Sequence, residues 1–326
     1  MQSVSVVICA YTEARWDELI ASVKSVRQQT TPPLEIIVAI DHNRALLERV
    51  RAEIPGLVAV ENNEPRGLSG ARNSGIATAR GDVIAFLDED STAAPNWLAR
   101  LSAGYTDQVA GVGGAIEPVW LDGKPRWFPT EFDWVVGCTY LGMPETTTRV
   151  RNLIGCNMSF RREVFQQVGG FTSGIGRVGT RPVGCEETEF CIRTNQHSPQ
   201  SALRYEPHAR VYHRVPSSRA TWNYFRSRCY AEGLSKALVS RSVGKKDGLA
   251  SERKYTFQVL PRGVIRGVTD TLLRRDLFGL ARASAIVAGL ALTTAGFLIG
   301  TVSGMLAERR QSIQLGRFAL SKSTDV

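Results

Sequence analysis

Residues Phe86 to Leu98 read FLDEDSTAAPNWL, an apolar run that ends in three consecutive acids, Asp88, Glu89 and Asp90. Two aspartates one residue apart on a tight turn can set both carboxylates on one hard divalent ion, Mg²⁺ or Mn²⁺, which prefers such oxygens together with substrate phosphates. The spacing therefore predicts a site for a divalent cation and a diphosphate. Read alone, STAAPNWL is also a capped turn, because Asp and Ser open helices. Arg72, Arg226 and Arg228 are of the type that neutralises phosphate oxygens by bidentate bonds, and each is equally an ordinary surface charge. Glu186, Glu187 and Glu189 crowd the start of a helix-like run, where acids favour the helix N-terminus whatever else they do.

The elements that must position these groups alternate. Ser3 to Ala10, Leu34 to Ile40, Leu57 to Glu61 and Asp82 to Leu87 are short β-branched apolar runs, separated by helix-like stretches over Trp16 to Gln29, Arg44 to Ile54 and Leu68 to Ala79. Such alternation predicts an α/β fold with a mostly parallel sheet and helices on both faces. Ligands of these sheets bind beyond the carboxyl ends of the strands. Ala10 ends the first strand and Tyr11 and Glu13 follow it, Asp41 follows the second, and the three acids the fourth. The alternation lapses after Pro118. Val119 to Thr148, rich in Trp, Pro and Gly, reads as a functional insertion before NMSFRREVF resumes a strand and a helix, and from Thr221 the pattern is helical. Three regions result: 1–118, which holds the acid cluster and its strands, 119–240, and a basic helical region 241–326.

The bulk composition is that of a folded protein, with 43% hydrophobic and 22% charged residues in 326. The net charge of +9 is unevenly spread, since Ala209 to Val326 carries 20 Lys and Arg against 7 Asp and Glu. These charges flank an apolar segment instead of forming a groove with interleaved aromatics, which argues against nucleic acid as the partner. The six cysteines form no C-x-x-C pair, so they read as small core residues in a reducing, cytosolic setting. Between Arg282 and Glu308 lie 25 uncharged residues, long enough as a helix to cross about 30 Å of hydrocarbon. Arg274, Arg275, Arg282, Arg309 and Arg310 at its borders suit lipid headgroups. The alternative is a buried Ala- and Gly-rich helix. Gly296, Gly300 and Gly304 repeat the small-xxx-small spacing of closely packed helices and point to a homodimer. Leu260 to Leu280 mixes apolar and basic residues as a helix lying on a bilayer does.

Motif by motif, Val4 to Leu238 resembles the family 2 glycosyltransferases. VSVVICAYTEA is similar to the family's first strand and nucleotide loop, LEIIVAIDHN to its second strand with an acid for base or ribose, and GLSGARNSGIATARGDVIAFLDEDS to its Arg-bearing helix and D-x-D. GCNMSFRREVFQQVGGF and GCEETEFCIR resemble the acceptor side and its acidic pair, and VYHRVPSSRATWNYFRSRCYAEGLSKA the segment that closes over the diphosphate. The resemblance implies a GT-A, Rossmann-like fold and inverting transfer of a sugar from a nucleoside-diphosphate donor, UDP-linked, to a lipid-linked glycan or polysaccharide hydroxyl. It implies a donor site of Ala10, Tyr11, Glu13, Asp41, Arg72, Asp88, Glu89, Arg226 and Arg228, with Asp88, Asp90 and His213 on Mn²⁺ or Mg²⁺. An acceptor hydroxyl must lose a proton as it attacks, so a carboxylate is needed on the acceptor side, Glu187 first and Glu186 next. Trp120, Trp127 and Trp134 recur every seven residues; Trp127, Trp134 and Asn157 fall where the family builds its acceptor pocket, although aromatics there equally form a small core. The second strand ends in AID where a pair of acids is usual, and the acidic pair is Glu-Glu where Glu-Asp is commoner. The insertion is similar to enzymes of lipid-linked glycans, glucuronosyltransferases using UDP-glucuronate among them. Such an enzyme works at the cytoplasmic face of the membrane, in contact with lipid. Transfer to polyprenyl phosphate, which needs no base, and a non-catalytic nucleotide-binding scaffold are the competing readings.

Overall fold

In the computed structural model the described residues are 2–176, 184–244 and 254–323, with side chains as far as 306. Strand β1 (Val4–Ala10) is buried along its whole length, as its unbroken VSVVICA run requires of a strand covered on both faces. It pairs in parallel with β2 (Glu35–Ile40) and β4 (Val83–Asp88), and β2 with β3 (Val58–Glu61). Helices α1 (Trp16–Arg27) and α2 (Arg44–Glu53) place Leu19, Val23, Leu46 and Val50 against one face. Helix α3 (Leu68–Thr78) covers the other, so close to β1 that a Cβ on Gly75 would sit 2.5 Å from a Val7 methyl.

Beyond β4 the sheet becomes mixed. Strand β8 (Asn157–Arg161) runs antiparallel to β4, and β6 (Val109–Trp120) antiparallel to β8; β9 (Ala202–Val215) then runs parallel to β6. Strands β5 (Ser91–Ala93) and β7 (Thr148–Val150) close onto β9, both antiparallel. The order is β3-β2-β1-β4-β8-β6-β9-β5, with β7 also on β9. The parallel sheet expected from the alternating N-terminal pattern thus continues into strands the alternation did not reveal. Helix α4 (Trp97–Ala103) packs beside β9, and α5 (Arg162–Val168) and α6 (Glu186–His197) complete the second layer around Phe160, Phe165 and Phe190. All six cysteines are buried and free.

Asn157 opens β8 at the centre of this sheet. It is fully buried, accepts from Trp97 Nε1 at 2.7 Å and donates to the carbonyls of Ala209 at 2.7 Å and Ala115 at 2.9 Å. It therefore ties α4, β6 and β9 together, a structural role in place of the acceptor contact expected for it. Asn157→Leu keeps the volume but strands one donor and two carbonyls, each costing about 1–3 kcal/mol when left buried. Thermal unfolding of the variant in detergent is expected to show a loss of at least ~3 kcal/mol.

The insertion after Pro118 is the platform for the C-terminal helices. Trp127 packs edge-on against Trp222 and Phe225 and tilted against Phe128, with ring centroids 5.3 to 5.6 Å apart, so it belongs to a core and not to an open acceptor pocket. Helix α7 (Trp222–Val243) begins there, capped by Thr221. After a wide turn at Tyr255–Val259 follow α8 (Leu260–Arg274) and α9 (Phe278–Ser323). Buried Glu131 fixes α8 through Arg266 at 2.6 Å, and its carbonyl accepts from the Tyr255 hydroxyl at 2.7 Å.

Helix α9 lies lengthwise on the molecule. Gly289 meets Phe132, Gly296 meets the backbone of Tyr230, Gly300 meets Ala237 and Gly304 meets Arg241. The glycine repeat read as a dimer seam is thus taken up by α7 of the same chain. The opposite side, through Leu280, Val287, Leu298, Val302 and Met305, is exposed. Phe278–Leu306 has the length and composition to cross a membrane, and with 22% of its most apolar stretch buried it is no core helix. Of the basic border, Arg282 is tied to Asp270 and Asp276, both at 3.0 Å, while Arg274 and Arg275 reach solvent. The side chains of Arg309 and Arg310 lie outside the described residues.

Candidate active site

The metal motif is assembled by strand register. Cys9 of β1 pairs with Asp88 at the end of β4, and the chain turns at once into β5, whose Ser91 pairs with His213 of β9. The Arg214 N–H donates to the Asp90 carbonyl at 2.9 Å and locks this turn. His213 Nε2 then stands 3.2 Å from Asp90 Oδ1. One ligand atom from each of Asp88, Asp90 and His213 lies within 4.8 Å of the others. His213 Nδ1 is buried with no hydrogen-bond partner among the described residues. Two carboxylates and an imidazole with spare capacity fit a divalent ion such as Mn²⁺.

Cations balance these acids. Arg15 Nη1 lies 2.6 Å from Glu89 and 3.3 Å from Asp90, and Arg219 Nη2 is 3.3 Å from Asp90. Burial alone would raise the Asp90 carboxyl, but His213, Arg219 and Arg15 together hold it well below the carboxylate range. Glu89 goes the other way, pushed up to about 7 by burial and by Asp90 and Asp88, against Arg15.

The catalytic candidates begin α6. Cys185, just before them, adopts φ of 72°, a left-handed backbone that a side chain makes costly and that recurs at functional sites. Glu186 is buried and bonds Arg72 at 2.7 Å, while its Oε2 has no partner among the described residues. Half-buried Glu187 is pushed up to about 8 by burial and then by Glu186, with Arg72 opposing. Arg72, 2% exposed, also stands 3.6 Å from Asp88 and donates to the Gly155 carbonyl at 3.2 Å. Expected to hold phosphates, it lines the cavity and is also paired with acids of the metal motif and of α6, as a buried guanidinium must be.

Most of the expected residues meet in one cavity of about 650 Å³. Ala10, Tyr11, Asp41, Arg72, Asp88, Glu89, Asp90, Glu186, Glu187, His213, Arg228 and Trp134 all line it. Asp41 also braces the turn into α3, accepting from the Gly67 N–H at 3.0 Å and from Asn62 at 2.7 Å. Four residues are not in the wall. Glu13 and Arg226 are exposed on α1's leading turn and on α7, Trp127 is in the aromatic core, and Asn157 is inside the sheet. Arg15, Arg219, Tyr255, Leu290 and Phe297 line the cavity without having been anticipated. A signal for Arg219 existed in its place six residues after His213; Arg15 resembles any charge at a helix start.

The glycosyl transferase family 2 profile matches residues 5–169. The glucosyl-dolichyl phosphate glucuronosyltransferase of Haloferax volcanii is 38% identical over 242 residues, covering 72% of this chain and 77% of that protein. The chain belongs to glycosyl transferase family 2. Its fold is GT-A. The mannosyltransferase PcManGT of Pyrobaculum calidifontis, solved with GDP-Man and Mn²⁺, superposes with a TM-score of 0.56 at 16% identity, over 90% of this chain and 87% of that one. GalNAc-T7, solved with UDP, GalNAc and Mn²⁺, gives 0.53 at 20% identity over 79% of this chain, which spans 58% of its length. In this family 2 chain the residues matched by the profile carry β1 to β4 and the D-x-D, whereas Glu187, His213 and Arg219 lie beyond them.

Proposed function

We propose that this family 2 enzyme transfers a sugar, with inversion, from a UDP-linked donor to a hydroxyl of a lipid-linked sugar. The observation that carries the reading is that the Asp88, Asp90 and His213 cluster and the Glu187 carboxyl wall one cavity. Leaving-group stabilisation and base are then available to one bound donor and acceptor. A divalent ion on the cluster would offset charge on the departing diphosphate. Tyr11 and Asp41 hold the nucleoside, and Arg15 and Arg219 join Arg72 in the phosphate role. The name of the Haloferax relative supports glucuronate as the sugar and a glucosylated isoprenyl phosphate as the acceptor. Product formation with a panel of UDP-sugars and a glucosyl isoprenyl phosphate tests this. UDP-glucuronate is expected to be the best donor, and release of UDP from none of the panel in the presence of acceptor would refute the assignment.

The enzyme works on the cytoplasmic membrane face, with α8 and α9 laid along the bilayer. Ile265, Leu272, Leu273 and Leu277 are 63 to 82% exposed and join the outward side of α9 in one apolar surface bordered by Arg274 and Arg275. The double substitution Leu272→Asp, Leu273→Asp is expected to move the protein from the membrane pellet to the supernatant with its thermal unfolding unchanged. Pelleting equal to that of the unaltered protein would rule out this surface as the attachment.

A further inference from the structure

The cavity has two chemically different ends. One is polar, with Asp41, Asp88 and Asp90; the other is lined by Trp134, Tyr255, Leu260, Leu290, Thr293 and Phe297. The side-chain donors of the second end are already committed. Thr293 Oγ1 donates to the Gly289 carbonyl and Thr294 Oγ1 to the Leu290 carbonyl, each at 2.9 Å, so neither hydroxyl proton is free for a ligand. Trp134 Nε1 donates to the Tyr255 hydroxyl at 2.9 Å, which in turn donates to the Glu131 carbonyl. A sugar, with hydroxyls in every direction, would leave its hydrogen bonds unmade on such a wall. Hydrocarbon loses nothing there.

The wall is also continuous with the outside. Thr294 lines the cavity and is exposed, between Ala291 and Leu298 on the outward side of α9. We propose that the α9 wall is a subsite for the acceptor's lipid, which enters beside Thr294 and lays its first isoprene units on Leu290, Phe297 and Tyr255. The proposal rests on the lipid-linked acceptor given above. Helix α9 then both meets the bilayer and selects substrate. Arg228 and Lys236 of α7 line the same cavity, Lys236 paired with Glu232 at 3.3 Å, and Arg228 faces the phosphate joining lipid to sugar.

Two measurements test it. In the first, glucose is presented on a C15 isoprenyl phosphate or on methyl phosphate. Thr294→Trp, which fills the mouth from an exposed position, is expected to cut the isoprenyl-to-methyl ratio of kcat/KM at least tenfold, through KM. An unchanged ratio overturns the proposal. The second does not depend on turnover: a photoactivatable C15 isoprenyl phosphate is expected to crosslink within 290–297, and Thr294→Trp to abolish the adduct. Crosslinks confined to other segments, or an adduct indifferent to the substitution, overturn it. If the enzyme glycosylates neither acceptor, the acceptor assignment above fails and the crosslink alone decides the subsite.

Discussion

Replacing Glu187 by Gln is expected to leave UDP binding intact and to lower sugar transfer by about two orders of magnitude or more. A sugar hydroxyl is scarcely ionised near neutral pH, so a carboxylate that accepts its proton during attack supplies roughly 10²- to 10⁴-fold in rate. Gln keeps the size and a hydrogen-bond acceptor while removing the basicity. The pH profile carries a sign. The carboxyl must be ionised to act, and its surroundings push it up to about 8. The ratio kcat/KM should therefore rise with pH through the neutral range, level off above that value, and lose this limb in the variant. Near wild-type turnover by Glu187→Gln would remove Glu187 as base. Loss confined to Glu186→Gln would transfer the role to Glu186, and activity of both variants on polyprenyl phosphate would identify an acceptor that needs no base.

The second large effect concerns the donor side. With Mn²⁺ present, UDP should bind far more tightly than with chelator, and Asp90→Asn should bring the two affinities together and reduce transfer by about 10³-fold. Asn is the informative change because Asp90 also anchors His213, Arg15 and Arg219, and an alanine would leave all three partners facing a void. Calorimetric titration of UDP into both proteins reads the result. Equal UDP affinity of the wild-type protein with and without the ion would remove the metal from the site.

The N-terminal half of the fold was legible because burial leaves a plain mark. Strands β1, β2 and β4 are covered on both faces and read as apolar runs, and the acids at their ends fall where such sheets bind ligands. Strand β6 hid behind its glycines. VAGVGGAIEPVW looks like a loop, yet Gly111 and Gly113 are there because Phe160 and Leu153 fill the space a side chain would need. Polar residues misled for a related reason: Asn157 has the type of a binding residue and is spent on three hydrogen bonds inside the sheet. Arg15 gave no signal at all, since which guanidinium meets the acids of the cavity depends on contacts between distant segments. The glycines of α9 were recognised as a packing seam, but spacing alone does not say which helix sits in it.

The β5 and β9 pairing that brings Asp90 to His213 has a consequence for how the chain matures. Arg219 and Asp90 are separated by 129 positions, and the parallel β6 and β9 pair closes a shorter but still long-range span. Contacts of this range are made late, because loop closure costs entropy before any packing repays it. A growing chain that has finished β1 to β4 already displays its aspartates, but with neither imidazole nor counter-charges it has no complete ion site. On the proposed function, ion-dependent nucleotide binding is therefore acquired in the same step as the completed sheet.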